Sequence, residues 1–312
     1  MTEAKERPTS LAGILSGILA YTIWGLLPLY WKILDHIPAV EILAHRIFWS
    51  FVFTSIVLLA TGGWSKLTAV LAERKKLMFA FLCGFIISLN WGTYIYAINA
   101  NHVIEASMGY YINPLVVVLL SILILKESLG RWQGIAIMLA AIGVLIITWQ
   151  YGRVPWIALL LAASFALYGL IKKMVSTDPV TGLVLETFIV MPVALIYIAG
   201  LEMKGAGAMG ANPLWLVALL ACSGIFTSVP LLLYARGVRL IKFSMMGFLQ
   251  YITPTINLVL GVFVFKEYFS AAHLASFGFI WVALLIFTLA NVGVLKEQGP
   301  KPEEAARRPG SV

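Results

Sequence analysis

Apolar residues fall into ten long runs separated by short polar breaks, at roughly 11–31, 40–62, 77–98, 103–125, 131–150, 154–172, 181–200, 214–236, 242–265 and 270–295. Each run is long enough to cross a hydrocarbon core of about 30 Å at about 1.5 Å per helical residue. The pattern therefore predicts an all-α membrane protein with ten transmembrane helices. The first run follows a short polar stretch with no small-residue cleavage site, and the same pattern continues through the chain, so it reads as a retained span. Among the breaks, the longest is about 201–213, whose Gly-Ala-Gly-Ala-Met-Gly segment reads as a flexible connection. Residues 1–10 read as a polar tail, and residues 296–312, rich in Pro, Glu and Arg, as a disordered one.

The runs also repeat. A shift of 140 residues lays Tyr94 on Tyr234, Tyr111-Ile112 on Tyr251-Ile252, Pro114 on Pro254 and Lys126-Glu127 on Lys266-Glu267. Trp24-Gly25 answers Tyr168-Gly169, and Pro38 answers Pro179. The units are 11–150 and 154–295, each with five spans. Five is odd, so the second unit must enter the membrane from the opposite side. Inverted repeats of this kind build midplane binding sites in secondary transporters.

Composition agrees with the pattern: 61% of residues are hydrophobic, 12% are charged, and the mean hydropathy is +0.94. These values exclude an ordinary soluble domain. The net charge of +8 does not point to nucleic acid, because the basic residues are scattered among loops. Topology sorts them better. Of the 22 Lys and Arg, 17 fall on loops and tails of one side, Lys32, Arg153, Lys204 and Lys266 on the other, and Arg46 within a span. This bias places both termini in the cytoplasm. Cys83 and Cys222 lie inside predicted spans, in no metal or redox spacing.

Candidate chemistry is sparse. Glu41 and His45 stand four apart on one helical face, with Arg46 rotated about 100° from His45. Ionisable groups within a membrane mark pathways, so the three are candidate pathway or gating residues; the competing readings are a first-turn acid at Glu41 and a snorkelling Arg46. Glu186 occupies the position in the second repeat that His45 holds in the first, and joins the pathway set. Glu105, opening its span, reads as structural. Pro114 and Pro254 lie inside spans and are expected to kink them, freeing the carbonyls of Tyr110 and Gln250. Paired broken helices point to a transporter site. The expected cavity is lined by Tyr110, Tyr111, Asn113, Gln250, Tyr251, Asn90, Trp91 and Tyr168, with Trp24 and Tyr94 completing it. Trp64, Trp132, Trp149 and Trp156 sit at span ends as interface-belt residues. Gly13, Gly17, Gly84, Ser88 and Gly92 suggest close helix packing. No phosphate loop, zinc motif or nucleophile set occurs, so the expectation is a non-enzyme without metal or cofactor.

The segments PAVEILAHRIFWS, EASMGYYINPL, LETFIVMPVALIY, FLQYITPT and FIWVALLIF, with Glu127 and Gly143 at the repeat's fourth-to-fifth-helix spacing, resemble the RarD subgroup of the EamA family, in the drug/metabolite transporter superfamily. The resemblance covers 11–296; Ala283 departs from it where Gly143 would map. It implies a multi-pass carrier of the bacterial inner membrane with both termini cytoplasmic, exporting a small amphipathic metabolite, amino acid-like, or a drug. Alternatives are a multidrug efflux protein of broad specificity and a non-transporting assembly or sensor. Protons are a candidate coupling ion. A monomer holds both repeats and suffices for function, with a homodimer compatible.

Overall fold

The fold is described from a computed structural model for residues 10–100, 102–175, 177–266, 271–291 and 295, without the side chains of 99, 103 and 271. Every regular element among these residues is helical. The expected tails, apart from Ser10, and Glu267 lie outside the described residues. In chain order the helices are α1 (Leu11–Ile33), α2 (Ala39–Ala60), α3 (Trp64–Ala72), α4 (Arg74–Asn99), α5 (Val103–Leu123), α6 (Arg131–Tyr151), α7 (Trp156–Met174), α8 (Pro179–Met203), α9 (Ala208–Ala211), α10 (Leu214–Leu240), α11 (Phe243–Leu249), α12 (Ile252–Val259) and α13 (Ala271–Asn291). A π-helical turn, Leu260–Val264, continues α12. Among the described residues, ten segments are long and apolar enough to span a membrane, the ninth running from Phe243 through Val264.

Local chemistry sets the boundaries. Pro179 opens α8 behind Asp178, whose carboxylate accepts from the Thr181 amide at 3.3 Å, a proline-first, acid-capped start. Gly152, at φ +76°, takes the left-handed position that ends α6. Two short helices depart from expectation. The break after α2 folds into α3, whose Leu67 and Val70 pack with Leu58, Ala80, Val184 and Leu185. The connection at 201–213, expected to be flexible, contains α9: Glu41 accepts from the Ala208 amide at 2.6 Å, and Glu202 from the Met209 and Gly210 amides at 2.8 and 3.1 Å. Two carboxylates satisfy amides that a glycine-rich segment would otherwise give to water.

Helix pairing follows the repeat. Three contacts of the first unit have counterparts: α1 with α10 and α7 with α4, α1 with α12 and α7 with α5, α2 with α10 and α8 with α4. Helices α2 and α8, α6 and α13, and α5 and α11 meet their own equivalents. Glycines 140 residues apart make matching approaches. A Cβ on Gly84 would stand 2.9 Å from Ile189 and 3.1 Å from the Glu186 carbonyl; one on Gly224 would stand 2.3 Å from the Trp49 backbone. Lys126 and Lys266, also 140 apart, are the non-glycine residues with positive φ among those described, at 53° and 59°.

Gly13 and Gly17 pack against α10 and α11 as expected, whereas Gly92 meets nothing within 4 Å and serves no contact. Trp64, Trp149 and Trp156 are exposed at span ends, in keeping with belt positions.

Candidate functional site

The bundle is open at one end and sealed at the other. Residues seven apart on a helix point within about 20° of each other. On α5, Ser107 and Tyr110 are exposed, while Pro114 and Val117, seven residues deeper on the same faces, are buried. On α4, Asn90, Trp91 and Tyr94 are half-buried, while Cys83, Gly84 and Ile87 beneath them are buried. These faces turn inward along their deeper halves, so the exposure of their upper halves marks a vestibule rather than a lipid-facing surface. It opens where α4 ends and α2 and α5 begin.

Arg46 stands in this vestibule, seven residues into α2 and half-buried. Its Nε donates to Thr227 Oγ1 on α10 at 3.0 Å. Its guanidinium lies 4.7 Å from the Trp31 ring centroid and 5.9 Å from that of Trp91, distances at which a cation is attracted to the ring face. Tyr30, Tyr94 and Tyr110 are within electrostatic reach, and the Tyr94 and Tyr110 hydroxyls are hydrogen-bonded to each other. Tyr30 in turn donates to the Leu219 carbonyl on α10. Helices α1, α2, α4, α5 and α10 thus converge on one cationic, aromatic-walled space.

Below it the bundle closes. Tyr21 and Trp24 of α1, Phe165 and Tyr168 of α7, and Tyr234 of α10 form a continuous ring cluster, with centroid separations from 5.2 Å for Phe165–Tyr234 to 6.2 Å for the stacked Tyr168–Tyr234 pair. Tyr21, Tyr168 and Tyr234 are each 1% exposed. Beyond the rings, Glu186 pairs with Lys172 and accepts from the Tyr168 hydroxyl at 3.0 Å. Lys173 donates to the Ile241 carbonyl, and Arg239 to that of Thr177 at 3.1 Å. At the same face, Lys66 meets Asp178 at 3.0 Å. Partial burial raises the Asp178 carboxyl, but the Lys66 hydrogen bond and charge together with the Thr181 bonds outweigh it and leave the group below its ordinary value.

The residues expected to line one cavity are distributed over four places. Tyr110 and Trp91 reach the vestibule. Asn90 donates to the Leu161 carbonyl and Ser164 hydroxyl at 2.9 Å each, and Asn113 to the Ala162 carbonyl at 2.6 Å, so both fasten α7 to its neighbours. Tyr111 packs edge-on against Phe277, and the buried Tyr251 points its hydroxyl at the Tyr111 carbonyl, 3.4 Å away. Gln250 is buried beside that junction, and Tyr168 belongs to the sealed end.

The prolines differ as well. Helix α5 runs on through Pro114, while the second unit breaks at Gln250–Tyr251, where the Gln250 carbonyl accepts from the Thr253 amide at 3.1 Å. Pro254 then lies within α12. Of the pathway candidates, Glu41 caps α9, Glu186 pairs with Lys172, and Arg46 faces the vestibule. His45 is 1% exposed, with neither ring nitrogen partnered among the described residues. Glu105, read as structural, accepts from the Tyr151 hydroxyl and the Ile157 amide at 2.8 Å each. Trp31, Thr227 and Lys172 were not legible as site residues: the first two sit among many apolar-span positions, and the apolar run ends at Lys172 although the helix continues to Met174.

The sequence profile of the EamA-like transporter family matches residues 11–149. The chain is 48% identical to the uncharacterized transporter YojE of Bacillus subtilis, over 90% of this chain and 94% of that one. It is 40% identical to protein RarD of Escherichia coli, over 89% and 94% of the two chains, and 28% identical to the chloramphenicol-sensitive protein RarD of Pseudomonas aeruginosa, over 92% and 96%. A crystal structure superposes with a TM-score of 0.66 at 20% identity, over 90% of this chain and 98% of that one, which supports the fold.

Proposed function

The chain belongs to the EamA-like transporter family and is a multi-pass membrane transporter, and from that premise we propose a secondary carrier that exports a small amphipathic solute by alternating access. One observation carries this reading: a vestibule around Arg46 at one end, and at the other a seal of aromatic rings and the Lys172–Glu186 pair. A channel would need no such seal, and a scaffold no such vestibule. Alternation then means closing α4 and α5 over Arg46 while α7 separates from α8 and α10.

The two units, 11–150 and 154–295, supply the halves that rock. The basic bias of the loops favours an orientation with the sealed end, Lys172, Lys173 and Arg239, and both termini on the cytoplasmic side of a bacterial inner membrane. A single chain holds the vestibule and the seal, so a monomer suffices. Nothing in this scheme consumes a nucleotide; the gradient of the solute, or of protons through His45, drives it.

Flux into and out of sealed proteoliposomes tests the reading, with pooled organic anions, amino acids, nucleosides and cationic drugs, with and without a proton gradient. The expected result is saturable flux of one pool, accelerated by unlabelled solute on the far side. Absence of flux for every pool, with folded protein, contradicts it.

A further inference from the structure

Among the described residues, Arg46 is the one charge inside the vestibule. Arg46 uses its Nε on Thr227, and no described residue accepts from its terminal nitrogens. The acids of the neighbouring elements are committed elsewhere: Asp35 to Lys32, Glu41 to the Ala208 amide, Glu202 to the Met209 and Gly210 amides, Glu105 to Tyr151 and the Ile157 amide. No described carboxylate forms an ion pair with Arg46.

Thr227 and the Trp31 ring hold the guanidinium, with the terminal fork left over. A fork of two parallel N–H donors matches a carboxylate, which accepts both at once. The surrounding rings of Trp31, Trp91, Tyr94 and Tyr110 offer flat apolar walls, those of the two tyrosines ending in hydroxyls.

We infer that Arg46 anchors the carboxylate of a small organic monoanion whose flat apolar body lies against Trp31, Trp91 and Tyr110. The inference rests on the carrier reading and narrows its solute class. A cation would meet Arg46 as a like charge. A zwitterionic amino acid would bring an ammonium to a space with no free acid among the described residues, so the site discriminates against it. A neutral amide keeps the body and loses the charge-assisted pair of bonds.

Isothermal titration of the purified full-length protein with four probes of one shape tests this: phenylacetate, phenylacetamide, phenylalanine and phenethylamine. Phenylacetate is expected to bind at least about tenfold more tightly than the other three, a difference of about 1.4 kcal/mol. Arg46→Gln should abolish that preference, and Arg46→Lys, which keeps the charge without the fork, should weaken phenylacetate several-fold; both variants should melt within a few degrees of the parent. Equal binding of acid and amide, no binding of phenylacetate, or an unchanged preference in the variants overturns the inference.

Flux of the same probes separates the two claims. Transport of phenylacetate at the parent rate in Arg46→Gln would leave the carrier reading standing and overturn the anchor. Arg46-dependent binding of phenylacetate with no flux of it or of any other solute would support the anchor and contradict the carrier.

Discussion

Charged side chains inside the bundle divide by what they touch. An ionised group at the centre of a membrane helix costs about 2.5–3.5 kcal/mol on insertion scales, so each needs a partner, an aqueous space or a function. Glu186 has Lys172 and Tyr168, at 2% exposure. Removing one partner of a buried pair costs about 3–5 kcal/mol, whereas replacing both with apolar groups is often neutral. Lys172→Met should therefore lower the melting temperature in detergent well below the parent's, and Lys172→Met with Glu186→Leu should recover most of the loss. A single variant that melts like the parent would show that the pair does not hold the sealed end. Glu186 stood out in the sequence as an acid past the first turn of its helix; Lys172 did not, because the apolar run stops there and the helix adds two residues. Glu41 was legible as an acid at a helix start, but its target, α9, is formed by residues 167 positions away in sequence.

The spans and the repeat were readable because each depends on composition over twenty residues and on marks such as Lys126 and Lys266, which the structure shows sharing a left-handed backbone. Breaks within spans were less readable. Pro114 and Pro254 suggest equal kinks, yet α5 continues and the ninth span divides into α11, α12 and a π turn, since local backbone bonds such as Thr253 to Gln250 decide the outcome. Glycines show the same limit: spacing alone does not tell Gly224, pressed on the Trp49 backbone, from Gly92, which faces open space. Gly224→Ala is expected to cost about 1–3 kcal/mol by forcing α10 from α2, and Gly92→Ala to be neutral or to gain up to about 1 kcal/mol of helix propensity. Paired melting curves check both. A Gly224→Ala protein as stable as the parent would mean that the contact relaxes without cost.

For the whole molecule, the central claim is that the vestibule and the seal exchange roles. Cys83, 3% exposed, lies against Glu186 and Lys172 at the sealed end, and Ser107 is exposed at the vestibule. Two single-cysteine proteins follow. In one, Cys222→Ala leaves Cys83. In the other, Cys83→Ala and Cys222→Ala accompany Ser107→Cys. The decisive measurement is their labelling by a membrane-impermeant maleimide applied to each side of sealed proteoliposomes, with and without a transported solute. Alternating access predicts that Cys83 reacts only from the side of the basic loops and the cysteine at 107 only from the other, and that conditions raising one rate lower the other. Simultaneous labelling of both under every condition, or a Cys83 that never reacts while solute is moving, would contradict it.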